Sequence, residues 1–241
     1  MTGMRACVFG ASGGIGHSLV TQLSHSLDYA TVYAGSRAAV CFDDHKVTPF
    51  AFELTDETSL ADTARLVGGG GPLDLVIVAT GVLHSPRQAG PEKSSRMLAA
   101  DAMADMFAIN TIGPALIAKH MLPLLARDRR AVFAVLSAKV GSIGDNRSGG
   151  WHSYRASKAA LNMLVRNFGL ELAVRNPRAM AVALHPGTVD TGLSKRFQRQ
   201  LPLGQLLKPE TSAAHLLAVI AKLQPEDNGM LIAWDGTRLP F

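Results

Sequence analysis

The sequence predicts an α/β fold with one doubly wound parallel sheet, and we expect residues 1–241 to form a single domain. Short apolar runs alternate with segments of helical periodicity along the whole chain. The segment DLVIVATG at 74–81 is almost continuously apolar, which is typical of a parallel strand buried on both faces. A glycine-rich turn, GASGGIG at 10–16, joins the first apolar run directly to the first helical segment.

The same patterns place each element in chain order. We expect strands at 5–10, 30–36, 46–54 and 74–81, and helices at 15–27 and 55–68, the second opened by a Thr/Asp cap. A helical pattern then covers 95–127 with a break around Gly113-Pro114, followed by a strand at 131–137, a helix at 151–175, a strand at 179–187, a helix near 209–223 and a strand at 229–234. This alternation implies right-handed crossovers and a ligand site beyond the C-terminal ends of the strands.

Composition restricts the class of protein. Hydrophobic residues make up 47% of the chain and charged residues only 18%, which indicates a folded globular domain. No apolar run approaches the roughly 20 residues that span a bilayer. The N-terminal residues enter an apolar strand at once, so we expect no signal peptide, no membrane association and a cytoplasmic location.

The net charge of +5 is compatible with nucleic-acid binding, but the basic residues are scattered. Their densest cluster, at 126–130, is typical of a helix C-terminus, where basic side chains complement the helix dipole. We therefore expect no nucleic-acid partner. Cys7 and Cys41 fit neither a metal-binding spacing nor a disulfide framework, so we expect no metal site and interpret Cys7 as a buried thiol.

The glycine turn has the spacing Gly-x-x-x-Gly-x-Gly, formed by Gly10, Gly14 and Gly16. Without side chains there, the chain can turn sharply and a pyrophosphate can approach the N-terminus of the following helix. Free N–H groups and the helix dipole favour negative charge at that point. An ordinary glycine-rich turn between strand and helix is the alternative interpretation.

Tyr154 and Lys158 are four residues apart in a predicted helix, so both lie on one helix face. A free phenol has a pKa near ~10, and a neighbouring ammonium lowers it towards the range where acid–base catalysis is efficient. The residues beside the pair are mostly small, which lets a flat cofactor or another helix approach closely. Taken alone, the pair also fits a surface tyrosine and lysine.

The glycine turn and the Tyr-x-x-x-Lys helix together resemble the short-chain dehydrogenase/reductase family, and residues 140–162 are similar to its C-factor-like branch. The resemblance implies an oxidoreductase in which Tyr154 exchanges a proton with a carbonyl oxygen. Lys158 would lower the pKa of that tyrosine and bind the nicotinamide ribose, while a nicotinamide cofactor carries hydride. Asn110 matches the residue that bends the central helix and anchors a relay water. Relatives commonly pair the helix corresponding to 151–169 about two-fold axes, which implies a homodimer or homotetramer.

The resemblance also places the cofactor contacts. The pyrophosphate is expected at Gly10, Ser12, Ile15 and Gly16, the adenosine at Leu54, Ala79 and Gly81, and the nicotinamide carboxamide at Pro186, Gly187, Val189 and Thr191. Two departures from the family pattern weaken the adenosine contacts. VATG at 78–81 replaces Asn-Asn-Ala-Gly, and Glu53 stands where the family has Asp or Asn, which shifts the contact to the Leu54 backbone.

The family serine that polarises the substrate carbonyl has no unambiguous counterpart. Alignment through the fifth strand puts Ala138 at the catalytic position and Ser137 one residue before it. Counting back from the tyrosine makes Ser142 the candidate instead. We favour Ser137, with Ser142 or a water molecule as alternatives.

NADP is favoured over NAD by the end of the second strand. Ser36 and Arg37 stand where an NAD enzyme usually carries an acidic residue, and a guanidinium and a hydroxyl suit a 2′-phosphate. The expected substrate is a hydrophobic aldehyde or ketone, or the corresponding alcohol, in a pocket lined by Val82, Leu83, His84, Ser142, Ile143, Trp151, Leu193 and Phe197. The competing hypothesis is a weakly active or inactive NADP(H)-binding sensor on the same fold.

Overall fold

The computed structural model of the chain describes residues 3–38, 40–195, 198, 202 and 204–241. Phe197, one of the expected pocket residues, lies outside this part. The helices are α1 (Gly14–His25), α2 (Glu57–Gly68), α3 (Ala100–Phe107), α4 (Gly113–Met121), α5 (His152–Arg175) and α6 (Pro209–Lys222). The strands are β1 (Met4–Phe9), β2 (Tyr29–Ser36), β3 (Val47–Ala51), β4 (Leu75–Val78), β5 (Ala131–Leu136), β6 (Ala179–His185), β7 (Thr188–Val189), β8 (Leu206–Leu207), β9 (Leu231–Ala233) and β10 (Arg238–Leu239).

One eight-stranded sheet organises the chain, in the order β10-β9-β6-β5-β4-β1-β2-β3. All neighbouring pairs from β3 to β9 are parallel, and β10 is antiparallel to β9. The predicted Rossmann-type doubly wound sheet is therefore confirmed. The order reverses between β1 and β4, which is where ligands of such sheets bind.

Helices cover both faces of the sheet. Along β1, Cys7 and Phe9 pack into the core under α2, α4 and α5, while Ala6 and Val8 pack into the core under α1 and α6. Successive side chains of a strand point to opposite faces of the sheet, and here the residues on both faces are fully buried. The strands are therefore continuously apolar in the sequence. The prediction that Cys7 is a buried thiol is confirmed.

The long helical pattern at 95–127 is divided by one turn of π-helix, Ala108–Ile112, between α3 and α4. The predicted break lies just beyond it, where Pro114 occupies the first turn of α4, a position that needs no backbone N–H. The wide turn carries Asn110, which is fully buried. A single π turn inside a helix is typical of a functional site.

The sheet edges contain features that the periodicity did not predict. Strand β10 and the small parallel pair β7–β8 are only two residues long each, too short to produce a pattern. At the other edge, Pro49 lies inside β3. Phe52 donates its N–H to the Ser36 carbonyl of β2, and amides alternate in direction along a strand, so position 49 faces outward and needs no donor.

Helix lengths also bear on membrane association. Within the described ranges, none of the helices is both long enough and apolar enough to cross a bilayer.

Candidate active site

The glycine turn lies at the C-terminal edge of the sheet, against the end of β4. Gly10 has φ +94°, and a methyl group at its Cα would stand 2.9 Å from the Ala79 carbonyl carbon. A methyl group on Gly16 would overlap the Gly10 carbonyl oxygen. Both positions therefore require glycine, because the turn folds back on itself and touches the neighbouring strand.

Helix α1 begins in this turn without a side-chain cap. Its N-cap residue is Gly13, and no acidic side chain lies in its first turn. The residues Ser12, Gly13 and Gly14 are exposed, so the first N–H groups of α1 face open space at the sheet edge. Such a helix start is suited to an anion, as a dinucleotide pyrophosphate would be.

The loop after β6 closes the other side of this space. A methyl group at Gly14 would lie 3.1 Å from Thr191 Cγ2, so the loop at 186–191 stands directly against the glycine turn. Gly187 has φ +78°, which favours glycine. Residues 10–16, predicted to bind the pyrophosphate of the cofactor, thus face residues 186–191, predicted to bind its nicotinamide carboxamide.

Lys158 is almost fully buried, and its Nζ donates to the Leu136 carbonyl at 2.8 Å, at the end of β5. Gly81 gives it room, since a methyl group there would lie 3.6 Å from Nζ. Burial lowers the pKa of Lys158 to about 8. The ammonium is therefore held by a backbone oxygen at the sheet edge.

Tyr154 is also buried and belongs to an apolar cluster with Leu83, Met106 and Ala138. Its ring meets the Trp151 ring edge to face, with 6.3 Å between centroids. Burial raises the pKa of Tyr154 to about 12, the reverse of the lowering expected from the sequence. The reason is that desolvation dominates, and the neighbouring ammonium, directed at a carbonyl, does not compensate for it in this state.

Asn110 joins the π turn to the loop after β4 and to helix α5. Its Oδ1 accepts the Val82 N–H and its Nδ2 donates to the Val82 carbonyl, both at 2.9 Å. Nδ2 also donates to Ser157 Oγ at 3.2 Å, and Thr111 Oγ1 donates to the Ser157 carbonyl at 2.9 Å. The small residue between Tyr154 and Lys158 therefore allows another helical turn to approach, one of the two explanations proposed from the sequence.

The two candidate serines are engaged elsewhere. Ser137 Oγ donates to Asn162 Oδ1 at 2.7 Å, in a buried contact one turn beyond Lys158 along α5. Ser142 Oγ accepts the Asp145 N–H at 3.1 Å and so stabilises its own loop. Ala138, which alignment through the fifth strand puts at the family's catalytic position, packs in the tyrosine cluster.

At the end of β2, Arg37 is exposed and Ser36 is buried. Ser36 Oγ donates to the Ala38 carbonyl at 2.7 Å, which holds the turn and aims Arg37 outward. Leu54, after β3, packs closely enough against Gly113 that a methyl group there would overlap its side chain. The Leu54 side chain is therefore directed into the core.

The expected pocket residues are divided between the cluster and the surface. Leu83 is buried, with Val82 and Trp151 packed beside it, around Tyr154. His84 Nδ1 donates to the adjacent Ser85 carbonyl at 3.0 Å. Ile143 and Leu193 are exposed at 76% and 43%, so they stand at the rim.

Two buried polar atoms at this edge lack a hydrogen-bond partner within the described structure. They are Thr80 Oγ1, between Ala79 and Gly81, and His185 Nδ1, just before Pro186. Buried polar groups are normally satisfied, so each marks a place for a ligand or water. Together with the uncapped start of α1, they fit a polar, anionic cofactor lying across the edge.

Sequence reasoning missed Glu92, which is only 2% exposed and contacts the start of α5. A single glutamate in a loop carries no periodicity or motif, and the residue that it contacts is 61 positions away. Met106, in the tyrosine cluster, was hidden within a helical pattern in the same way.

The fold and this edge together define a class: a dinucleotide-binding α/β protein with a buried tyrosine–lysine pair near the C-terminal ends of its strands. The profile of the short chain dehydrogenase family matches residues 4–202. A 1-hydroxy-2-glutathionyl-2-methyl-3-butene dehydrogenase of Rhodococcus sp. (strain AD45) is 34% identical over 237 residues, covering 97% of this chain and 98% of that protein.

Two further comparisons agree. C-signal of Myxococcus xanthus is 37% identical over 139 residues, covering 58% of this chain and 78% of that protein. The structure of an NADPH-bound carbonyl reductase from chicken fatty liver matches with a TM-score of 0.84 and 24% identity, over 100% of this chain and 96% of that chain. The chain belongs to the short-chain dehydrogenase/reductase family and is therefore a nicotinamide-dependent oxidoreductase.

Proposed function

We propose that residues 1–241 form one domain that transfers hydride between NADP(H) and a carbonyl or alcohol substrate, with hydrophobic aldehydes and ketones as the substrate class. The observation that carries this proposal is the buried Tyr154–Lys158 pair between the glycine turn and the apolar cluster of Leu83 and Met106. A buried phenol that keeps its proton is the acid that carbonyl reduction needs. The apolar wall beside it favours hydrophobic substrates.

The cofactor would be held by residues from each loop of the edge, and its nicotinamide would supply the hydride. The uncapped helix start and glycine turn would bind the pyrophosphate, Arg37 the 2′-phosphate, and Lys158 the ribose. The remaining contacts are assigned to Ser12, Ile15, Ser36, Leu54, Ala79, Gly81, Pro186, Gly187, Val189 and Thr191.

The proton would come from Tyr154, and the π turn would hold a relay water at Asn110. Ser137 Oγ already donates to Asn162 and would have to turn away from it to reach a substrate. We therefore assign the second hydrogen bond to the substrate oxygen to a water beside Ala138, and to Ser137 only after such a rotation.

The proposal is tested by following NADPH consumption over a panel of aldehydes and ketones, and NADPH formation from NADP with a panel of glutathione-conjugated alcohols. The conjugates are included because the name of the Rhodococcus relative describes one. A titration of tryptophan fluorescence with NADPH runs in parallel. Turnover of apolar carbonyl compounds supports the proposal, whereas cofactor binding without turnover across the panel would favour the sensor hypothesis.

Arg37 should decide the choice of cofactor. Arg37→Ala should weaken NADP(H) by about 1.5–3 kcal/mol, the range for hydrogen bonds to charged groups, and leave NAD(H) unchanged. Because Arg37 is exposed, the loss should shrink as salt rises. The measurement is kcat/KM for both cofactors with one carbonyl substrate.

The matched control is Arg127→Ala, which removes the same charge from an exposed site. Arg127 lies before β5, at the N-terminal ends of the strands and away from the candidate site. The substitution should change neither cofactor. An equal loss of NADP(H) and NAD(H) in Arg37→Ala would mean that the arginine holds the loop and does not select the phosphate.

We also propose that α5 pairs with a second copy of the chain. Met163, Leu170 and Val174 are 62%, 56% and 87% exposed, and their spacing of seven and four residues puts them on one side of the helix. Leu170→Glu should convert the assembly to a 25.5 kDa monomer in gel filtration, while Leu27→Glu, at a 96% exposed site beyond α1, should not. A monomeric parent protein would contradict this pairing.

A further inference from the structure

Glu92 is a buried carboxylate that the acid–base chemistry and the cofactor site do not use. It lies in the loop between β4 and α3, and burial of a carboxylate is costly unless hydrogen bonds satisfy it. Its hydrogen-bond partners among the described residues lie at the start of α5. Ser153 donates to its carboxylate twice, through Oγ and, at 3.3 Å, through the backbone N–H, and the Trp151 N–H donates to its backbone carbonyl.

The start of α5 needs such a partner. Trp151, the N-cap residue, has φ 51° and ψ 42° and provides no side-chain cap. It is the single non-glycine residue of the described part with positive φ, and a bulky residue in that region is strained. The first turn of α5 has no acidic residue, so Glu92 supplies both the missing acceptor and the negative charge that a helix N-terminus favours.

The turn that Glu92 holds leads directly into the site. Trp151 lies edge to face against Tyr154 and packs on the cluster that contains Ala138. Tyr154 itself follows Ser153, the residue that makes both hydrogen bonds to the Glu92 carboxylate. A shift of this first turn therefore moves the proton donor and one wall of the pocket together.

The loop that carries Glu92 is fixed at other points. Asn110 holds Val82 at its start, and Ser85 Oγ and Arg87 Nε both donate to Asp105 Oδ2 of α3, at 2.6 Å and 2.9 Å. Glu92 thus supplies hydrogen bonds between this anchored loop and the start of α5, beside the apolar contact of Leu83 with Tyr154.

We propose that Glu92 is a positioning residue: it fixes the Trp151 turn and so sets the direction of Tyr154 and the shape of the substrate pocket. This inference rests on the proposed function for its effect on the reaction, but the position of Trp151 can be measured without any substrate.

The experiment uses the full chain in a Trp234→Phe background, which leaves Trp151 as the one tryptophan of the two in the sequence. Glu92→Ala should shift Trp151 emission to longer wavelength and lower kcat/KM on the order of 10²-fold, the cost of displacing a reacting group by about 1 Å. The affinity for NADPH should stay within about two-fold, because its proposed contacts are independent of this turn. Glu92→Gln keeps an acceptor for the Ser153 N–H and should restore most of the emission and rate.

Asp227→Ala is the matched control. Asp227 is another carboxylate that accepts a backbone N–H at the start of a helical turn, from Gln224 at 2.9 Å. It lies before the start of β9, at the N-terminal ends of the strands and away from the candidate site. The substitution should lower the melting temperature without changing the emission or kcat/KM.

Unchanged Trp151 emission and kcat/KM in Glu92→Ala would overturn the inference, as would a loss of rate no greater than in Asp227→Ala at equal loss of stability. If the parent protein reduces no carbonyl compound, the proposed function fails, and the emission alone decides whether Glu92 holds Trp151.

Discussion

Tyr154→Phe should reduce kcat for carbonyl reduction on the order of 10²–10⁴-fold, the usual contribution of a positioned proton donor. NADPH affinity and stability should remain close to the parent values. The phenylalanine ring keeps the contacts that the tyrosine ring makes with Trp151 and the apolar cluster. The measurements are kcat, the NADPH dissociation constant and the melting temperature.

A second tyrosine provides the control. Burial also raises the pKa of Tyr29 to about 12. This residue is the first of β2, so it lies at the N-terminal ends of the strands and away from the candidate site. Tyr29→Phe should leave kcat unchanged. More than a few per cent of the parent kcat in Tyr154→Phe would show that another group donates the proton.

The pH dependence has a definite sign. Reduction needs the protonated phenol, so activity is present below the pKa of Tyr154 and lost as pH rises through it. With this pKa raised to about 12 by burial, reduction should persist through the neutral range and decline only at alkaline pH. Alcohol oxidation needs the phenolate and should rise over the same alkaline range.

Lys158→Met should lose both rate and cofactor affinity, because two roles are assigned to this residue. We expect kcat to fall on the order of 10²-fold and NADPH binding to weaken by about 1.5–3 kcal/mol, as for a lost hydrogen bond to a charged group. Stability should change little or rise. Burial lowers the pKa of Lys158 to about 8, which shows that the charge is held at a cost, and an apolar side chain of similar length avoids it.

Lys222→Met is the matched control, since Lys222 is exposed at the end of α6 and contributes to neither role. Fluorescence titration gives the affinity, and calorimetry gives the stability. Unchanged NADPH binding in Lys158→Met would remove the ribose contact from the proposed site and leave the lysine only an effect on Tyr154.

The sheet could be predicted from the sequence because its seven parallel strands each leave a local pattern. Cys7 and Phe9 alternate with neighbours on the other face, and both sets are buried, so the apolar run is continuous. The glycine turn was equally visible, since Gly10 and Gly16 have no sterically acceptable replacement. Both features depend on residues that are close together in the sequence, so a local pattern is enough to predict them.

The remainder of the site depends on contacts between distant segments. Ser137 was favoured as the carbonyl-polarising residue, but its hydroxyl direction depends on Asn162, which lies 25 residues away. The pKa of Tyr154 was expected to fall because a lysine stands one turn away, yet burial by Leu83 and Met106, from other elements, outweighs that neighbour. Spacing along a helix indicates which groups share a face, but not how far water is excluded from them.

Pro49 in the outer strand has a consequence for how the protein behaves at high concentration. An open strand offers its outward N–H and C=O groups to a second chain, and runs of these groups initiate aggregation. At position 49 the outward donor is missing, so a strand added at β3 would lack a hydrogen bond in its middle. The opposite edge, β10, has only two residues with which another strand could pair. Both edge strands of the sheet are therefore poor templates for the addition of a strand from another chain. This favours a protein that stays monodisperse at high concentration and does not form fibril-like aggregates.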